Sequence, residues 1–134
     1  MQNARPVAAK PAYRALVVED DPAIRRLVEK LLTRLAIDID VAGDGRTAMD
    51  KLRSQHYSVM VLDLMVPELN GFEIIDMIKA ENLQVPVAVV SAVSQQALTR
   101  LDLDVVKLVI SKPFDVDEFT KAILALCTEA EEPA

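Results

Sequence analysis

Short apolar runs alternate with amphipathic stretches along most of this chain. Tyr13 to Val18 is apolar and valine-rich, as a buried strand requires. Asp21-Pro22 then supplies a cap and a proline at a first helical position. Ile24, Leu27, Val28, Leu31, Leu32 and Leu35 follow on one helical face. Ile37, Ile39 and Val41 alternate with Asp38 and Asp40, which predicts a half-exposed strand. Asp44-Gly45 predicts a turn, and Thr47 to Ser54 a helix with Ala48, Met49 and Leu52 inward. Val59 to Leu62 is wholly apolar, and Pro67 to Gly71 breaks the chain. Phe72 to Ala80 predicts a helix, Val87 to Val90 a strand, Gln95 to Leu101 a short weak helix, and Val105 to Ile110 a last strand. Asp115 to Glu118 resembles a capping box before a final helix marked by Phe119, Ile123, Leu124 and Cys127.

Five strands thus alternate with five helices. Continuous apolar strands mean burial on both faces, the mark of a parallel sheet covered by helices. Right-handed crossovers make this a doubly wound α/β fold. Such folds place their sites at the carboxyl ends of the strands. Residues 1–12 carry Pro6 and Pro11 among alanines and are expected to be a disordered arm; residues 129–134 are expected to be an acidic tail. One domain, residues 13–128, lies between them.

Composition narrows the function. The 134 residues carry a net charge of −6, with no basic cluster, which argues against nucleic-acid backbone binding. There is no tryptophan to stack on bases. The single cysteine, Cys127, excludes an internal disulfide and a cysteine-rich zinc site, and fits a reducing, cytoplasmic setting. No apolar run approaches the ~20 residues of a membrane-spanning helix, and the start lacks the pattern of a signal peptide.

The strand ends hold the chemistry: Glu19, Asp20 and Asp21 after the first strand, Asp63 after the third, Ser91 after the fourth, Lys112 and Pro113 after the fifth. Carboxylates brought together raise one another's pKa unless a cation neutralises them. Oxygen ligands of this kind suit Mg²⁺, with Asp20 and Asp63 direct and Glu19 through water. A metal-bound carboxylate can attack phosphorus and form an aspartyl phosphate. Lys112 would neutralise charge on the transferring group, and the Ser91 hydroxyl could donate to one of its oxygens. Taken singly these residues have plainer roles: Asp21 as a helix cap, Glu19 as a solvated charge, Ser91 as a strand end, Lys112 as a surface lysine. His56, the only histidine, is expected in a surface loop, and Cys127 in the core.

Leu16-Val-Val-Glu-Asp-Asp-Pro22, Val61-Leu-Asp-Leu-Met-Val-Pro67 with Asn70-Gly71, Val90-Ser-Ala92 and Ser111-Lys-Pro-Phe114 together resemble the receiver domain of two-component response regulators. The resemblance spans about residues 13–127. It implies a flavodoxin-like sheet in strand order 2-1-3-4-5. It implies Asp63 as phosphoacceptor, Glu19 and Asp20 as the acidic pair of a Mg²⁺ site, the Met65 backbone carbonyl as a further ligand, Ser91 as the switch hydroxyl, and Lys112 as the phosphoryl contact followed by a cis bond to Pro113. It implies a sensor histidine kinase or histidine phosphotransfer protein as donor, and a downstream protein target or onward phosphotransfer in a relay. The whole is expected to be a stand-alone, chemotaxis-regulator-like receiver, a monomer or a phosphorylation-dependent dimer, not a turnover enzyme.

The chain departs from the family in three places. Val109 occupies the usual aromatic position three residues before the lysine. Val105-Val-Lys-Leu108 replaces an acidic segment, so the charged dimer face of DNA-binding regulators, and direct DNA binding with it, is not expected. The short fourth helix and Asp102-Leu-Asp104 are expected to be mobile or to form a distinctive partner surface. Met65 and Val93 flank the site with apolar side chains, which predicts a long-lived phosphoryl group. The competing readings are a receiver-like interaction module that works without phosphorylation, an aspartyl-phosphate phosphatase, and a flavin-binding domain. The phosphatase would need a second aspartate where Met65 stands, and Glu19-Asp20-Asp21 would repel a flavin phosphate.

Overall fold

The computed structural model describes residues 13–131. Its elements follow the predicted alternation: β1 (Arg14–Val18), α1 (Pro22–Arg34), β2 (Asp38–Ala42), α2 (Gly45–Ser54), β3 (Val59–Leu62), α3 (Gly71–Ala80), β4 (Val87–Ser91), α4 (Gln95–Leu98), β5 (Val106–Ser111) and α5 (Val116–Glu131). The sheet is five-stranded, parallel and ordered β2-β1-β3-β4-β5, as the resemblance implies.

The period-two alternation of the strands divides the core in two. Leu16, Val18, Met60, Leu62, Val87 and Val89 face Ala48, Met49 and Leu52 of α2 and Ile74, Ile75 and Ile78 of α3. Ala15, Val17, Val59, Val61, Ala88 and Val90 face Val28, Leu31 and Leu32 of α1 and Phe119, Ile123 and Cys127 of α5. Both sheet faces are dry, so β3 and β4 contain no polar residue until the chain reaches their carboxyl ends.

Local chemistry sets the helix starts. The Asp21 carboxylate accepts from the Ala23 and Ile24 amides, and Pro22 is the first helical residue. Asp44 caps α2 through the Thr47 amide. Asn70 and Glu73 form a reciprocal capping box on α3. Asp115 accepts from the Glu118 amide at α5.

Helix α2 begins at Gly45, where a turn was expected before Thr47, and α3 at Gly71 rather than Phe72, since Asp44 and Asn70 cap them; two helix ends differ as well. Helix α4 stops at Leu98 rather than Leu101. The Thr99 hydroxyl donates to the Gln96 carbonyl, and the amides of Thr99, Arg100 and Leu101 each donate three residues back, tightening the helix into turns. Helix α5 runs through Glu131, so the acidic tail expected from residue 129 is helical for its first three residues; 132–134, like the expected arm at 1–12, lie outside the described residues. The Asp102 to Asp104 segment, expected to be mobile or to form a distinctive partner surface, is tied to α3. Lys79 Nζ donates to Asp102 Oδ2 at 2.7 Å and Asp104 Oδ2 at 3.1 Å, and the Arg100 guanidinium lies 5.0 Å from the Phe72 ring centroid.

Between β4 and β5 the register shifts once. Val87 pairs with Val106 and Ala88 with Leu108, which leaves Lys107 as a bulge. Among the described residues no helix is long and apolar enough to cross a membrane.

Candidate functional site

Four parallel strands deliver the site, β5 through Lys112, the residue after Ser111. Strand β1 ends at Val18 and passes straight into Glu19 and Asp20; β3 ends at Leu62 and passes into Asp63; β4 ends on Ser91. The Asp63 amide donates to the Val18 carbonyl, the Glu19 amide to Ala42 and the Lys112 amide to Ser91, so the sheet ladder continues into the site loops. Backbone pairing therefore fixes these side chains side by side.

Glu19, Asp63 and Ser91 are buried, with 4%, 7% and 3% of their surface exposed, while Asp20 is exposed. They are the buried polar side chains of a core otherwise apolar among the described residues. Asp63 Oδ1 accepts from Ser91 Oγ at 3.2 Å and from the Met65 amide at 3.1 Å. Its Oδ2 accepts from Lys112 Nζ at 3.2 Å. The same ammonium donates to Glu19 Oε1 at 2.8 Å, and Glu19 Oε2 accepts from the Asp21 amide. Arg25 Nη1 donates to the Glu19 carbonyl at 3.4 Å.

Burial pushes the Glu19 carboxyl above its ordinary range. The Lys112 hydrogen bond opposes that shift and the Asp63 charge adds to it. Burial works against the Lys112 ammonium, but its bonds and charges toward Glu19 and Asp63 outweigh it and hold the group above its usual value.

Glu19, Asp20 and Asp63 can each offer a carboxylate oxygen, all within 4.8 Å of one another. Three hard oxygens, with one edge open at Asp20, fit a small divalent cation that keeps waters and also takes phosphate oxygens. Lys112 partly neutralises the cluster from the other side.

Each residue singled out in the sequence therefore has a definite place. Glu19, Asp20, Asp63, Ser91 and Lys112 come together. Met65 follows in the loop after β3, its side chain 66% exposed and its amide on Asp63. Val93 is half-buried against the α2–α3 side of the core. Lys112-Pro113 is a cis peptide. Val109, 40% exposed, shares a sheet face with its pairing partner Val89. His56 is exposed and Cys127 buried, as expected.

Sequence reading missed how the loop after β3 is held. Gly71 packs so closely that a Cβ there would lie 2.5 Å from Leu64 Cα and 3.1 Å from the Asp63 carbonyl oxygen. Gly45, read only as part of a turn, presses against Leu69 in the same loop. The signal available was a glycine at the first position of a helix, where Ser, Glu or Ala would serve the helix better.

A separate groove of about 1040 Å³ lies at the opposite, amino ends of the strands, lined by His56, Tyr57, Lys79 and Val105 among others. At that far end Tyr57 donates to Asp40 at 2.6 Å, and Arg14 bridges Asp38, Asp40 and Gln55.

Residues 15–124 match the family described as the response regulator receiver domain. The chain is 33% identical over 140 residues to the alkaline phosphatase synthesis transcriptional regulatory protein SphR of Synechococcus elongatus, a match covering 96% of this chain and 54% of that protein. It thus spans about half the length of that relative. Among solved structures, the receiver domain of the Francisella response regulator 1452 superposes with a TM-score of 0.81 at 27% identity, over 87% of this chain and 98% of that one. The response regulator protein TrrA from Thermotoga maritima, in complex with Mg²⁺-BeF, superposes with a TM-score of 0.76 at 27% identity, over 85% of this chain and 98% of that one.

Proposed function

This chain belongs to the response regulator receiver domain family, and from that membership we propose that Asp63 accepts a phosphoryl group from a phosphohistidine donor. One observation carries the assignment. The carboxylate at the end of β3 is buried beside two further carboxylates, yet it receives a hydroxyl, an amide and an ammonium from three separate segments.

The chemistry needs no base, because the nucleophile is already an anion. A carboxylate oxygen of Asp63 attacks phosphorus while the phosphorus–nitrogen bond of the donor breaks, its electron pair returning to the imidazole. Lys112 and Ser91 stand where they can meet charge on the transferring oxygens. Glu19, Asp20, Asp63 and the Met65 backbone carbonyl would hold Mg²⁺, the ion present in the TrrA complex. Bound there, it would neutralise the carboxylates and the incoming phosphoryl oxygens.

Sensor histidine kinases or histidine phosphotransfer proteins are the donors this reading requires, in the cytoplasm. The product acts through protein contact or passes the group onward in a relay, as a signalling phosphoacceptor rather than a turnover enzyme. Val109 in place of the usual aromatic residue favours one competitor, an interaction module that does not depend on phosphorylation.

Intact mass after incubation with a small phosphodonor separates the two. The expected result is one added phosphoryl group that requires Mg²⁺ and is absent in chelator and in Asp63→Asn. No adduct from either a small donor or a phosphohistidine protein would favour the phosphorylation-independent module.

A further inference from the structure

The turn between β2 and α2 contributes no side chain to the site, yet it touches both halves of it. At one end the Glu19 amide donates to the Ala42 carbonyl at 3.2 Å. At the other the Gly45 amide donates to the Pro67 carbonyl at 3.0 Å. Pro67 lies in the loop that runs from Asp63 through Met65 to Asn70. This turn therefore spans the acidic pair and the loop after β3 with two backbone hydrogen bonds.

The contact at Gly45 leaves no space. A Cβ there would collide with the Leu69 carbonyl oxygen and lie 2.5 Å from Leu69 Cβ and 2.8 Å from the Leu69 carbonyl carbon. Two of these three atoms are backbone, so no side-chain rotation relieves the clash; the loop itself must shift. Gly45 has no positive φ, so its role is not conformational freedom. At Gly43, two residues earlier in the same turn, a Cβ would meet nothing within 4 Å.

The loop also needs support. Glu68, between Pro67 and Leu69, sits at φ 73°, a left-handed conformation costly for a residue with a Cβ. Such a residue persists where its surroundings over-determine it. The Gly45 amide on Pro67 and the Arg46 guanidinium on Glu68 Oε1, at 3.4 Å, hold it from α2.

We propose that Gly45 is a positioning residue for the divalent-cation site: its missing side chain lets α2 clamp the loop after β3, which sets the backbone around Met65 against Glu19, Asp20 and Asp63. The proposal rests on the reading of that cluster as a Mg²⁺ site. A side chain at position 45 would push the loop away from the acidic pair without altering any ligand residue.

The test uses the chain stripped with chelator and titrated calorimetrically with magnesium chloride, beside Gly45→Ala and Gly43→Ala, with thermal melting in chelator as the check on folding. Gly45→Ala is expected to melt cooperatively, to bind Mg²⁺ at least fivefold more weakly, and to accept phosphoryl groups at saturating Mg²⁺ within about twofold of the parent rate. Gly43→Ala is expected to bind like the parent. Weakened binding with recovered chemistry is what a merely destabilised domain would not show. A Gly45→Ala chain that fails to fold, or binds Mg²⁺ like the parent, overturns the positioning role, as does an equal loss in Gly43→Ala. A parent that takes up no Mg²⁺ overturns the metal reading and this proposal with it, so the two failures are told apart by the parent titration.

Discussion

Lys112 and Glu19 stand 93 residues apart in the chain and 2.8 Å apart in the fold, with the ammonium of one seated on the carboxylate of the other. The same ammonium reaches Asp63. A divalent cation binding to Glu19 and Asp63 would share both carboxylates with it, so lysine and metal compete for charge. Lys112→Met should therefore bind Mg²⁺ about tenfold more tightly, a change of ~1.4 kcal/mol, while accepting phosphoryl groups about a hundredfold more slowly for want of a preorganised cation. Calorimetric titration and the rate of mass gain read the two effects separately. Weaker metal binding in this variant would contradict the competition.

Glu19 is ionised at a cost when no metal is bound. Burial raises its pKa from the ordinary 4.5, so the folded chain holds that proton more tightly than the unfolded chain does. Its contribution to stability is present below about pH 4.5 and is lost as pH rises through the raised folded value. Glu19→Gln, which keeps the neutral shape, should raise the melting temperature in chelator at pH 7, by about 4 °C for each ~1 kcal/mol relieved in a domain of this size. The parent should gain more than this variant from added Mg²⁺. A lower melting temperature for Glu19→Gln would show that its bond to Lys112 outweighs its burial.

Ser91 Oγ donates to the same Asp63 oxygen as the Met65 amide. Ser91→Ala removes one donor to a charged acceptor, and phosphoryl acceptance should slow about tenfold, or ~1.4 kcal/mol. Ser91→Thr restores the hydroxyl and should recover most of the rate. An Ala variant as fast as the parent would place Ser91 outside the chemistry.

Neither Met65 nor Val93 offers a polar side chain to orient water at the site. The phosphorylated chain should therefore lose its group slowly once the donor is removed. Met65→Asn, at an exposed position that tolerates the change, should shorten the lifetime about tenfold, ~1.4 kcal/mol of barrier. Intact mass followed over time after desalting measures both; rapid loss from the parent would contradict the argument.

Lys79 ties the Asp102–Asp104 turn to α3, and the Val105 and Val106 amides both donate to the Asp102 carbonyl. Lys79→Ala should speed hydrogen exchange at those two amides more than threefold and leave the β3 amides unchanged. Equal protection would show that the turn does not depend on Lys79.

Much of this architecture was legible in the sequence because the two periodicities are strong. The steps from Ile24 to Leu35 announce α1, and the unbroken Val59 to Leu62 run announces a strand dry on both faces. The site residues were legible for a related reason: after the apolar runs Ala15–Val18 and Val59–Leu62, the first charges mark where the sheet ends. What stayed hidden depends on distance in space. Thr99 bending α4, Lys79 reaching across to Asp102, and Gly45 meeting Leu69 leave no periodic trace, since each depends on a neighbour the pattern does not name. The cap on α3 lies in the residue pair Asn70 and Glu73, inside a segment that otherwise reads only as a chain break.

The bulge at Lys107 also fixes how the last strand is counted. Side chains on a strand alternate, so one unpaired residue exchanges the two faces for everything after it. Downstream of Lys107, Leu108 and Ile110 turn to the α1–α5 side, and Ser111 falls opposite Ser91. Lys112 then reaches the carboxylates on the next step. Without that spare residue the phase of the strand would invert, offering Val109 to the wrong layer and swinging the lysine off its targets. The spacing upstream of Lys112 is thus as much a part of its address as the lysine itself, and a single deletion there would silence the site while leaving every residue of it in the sequence.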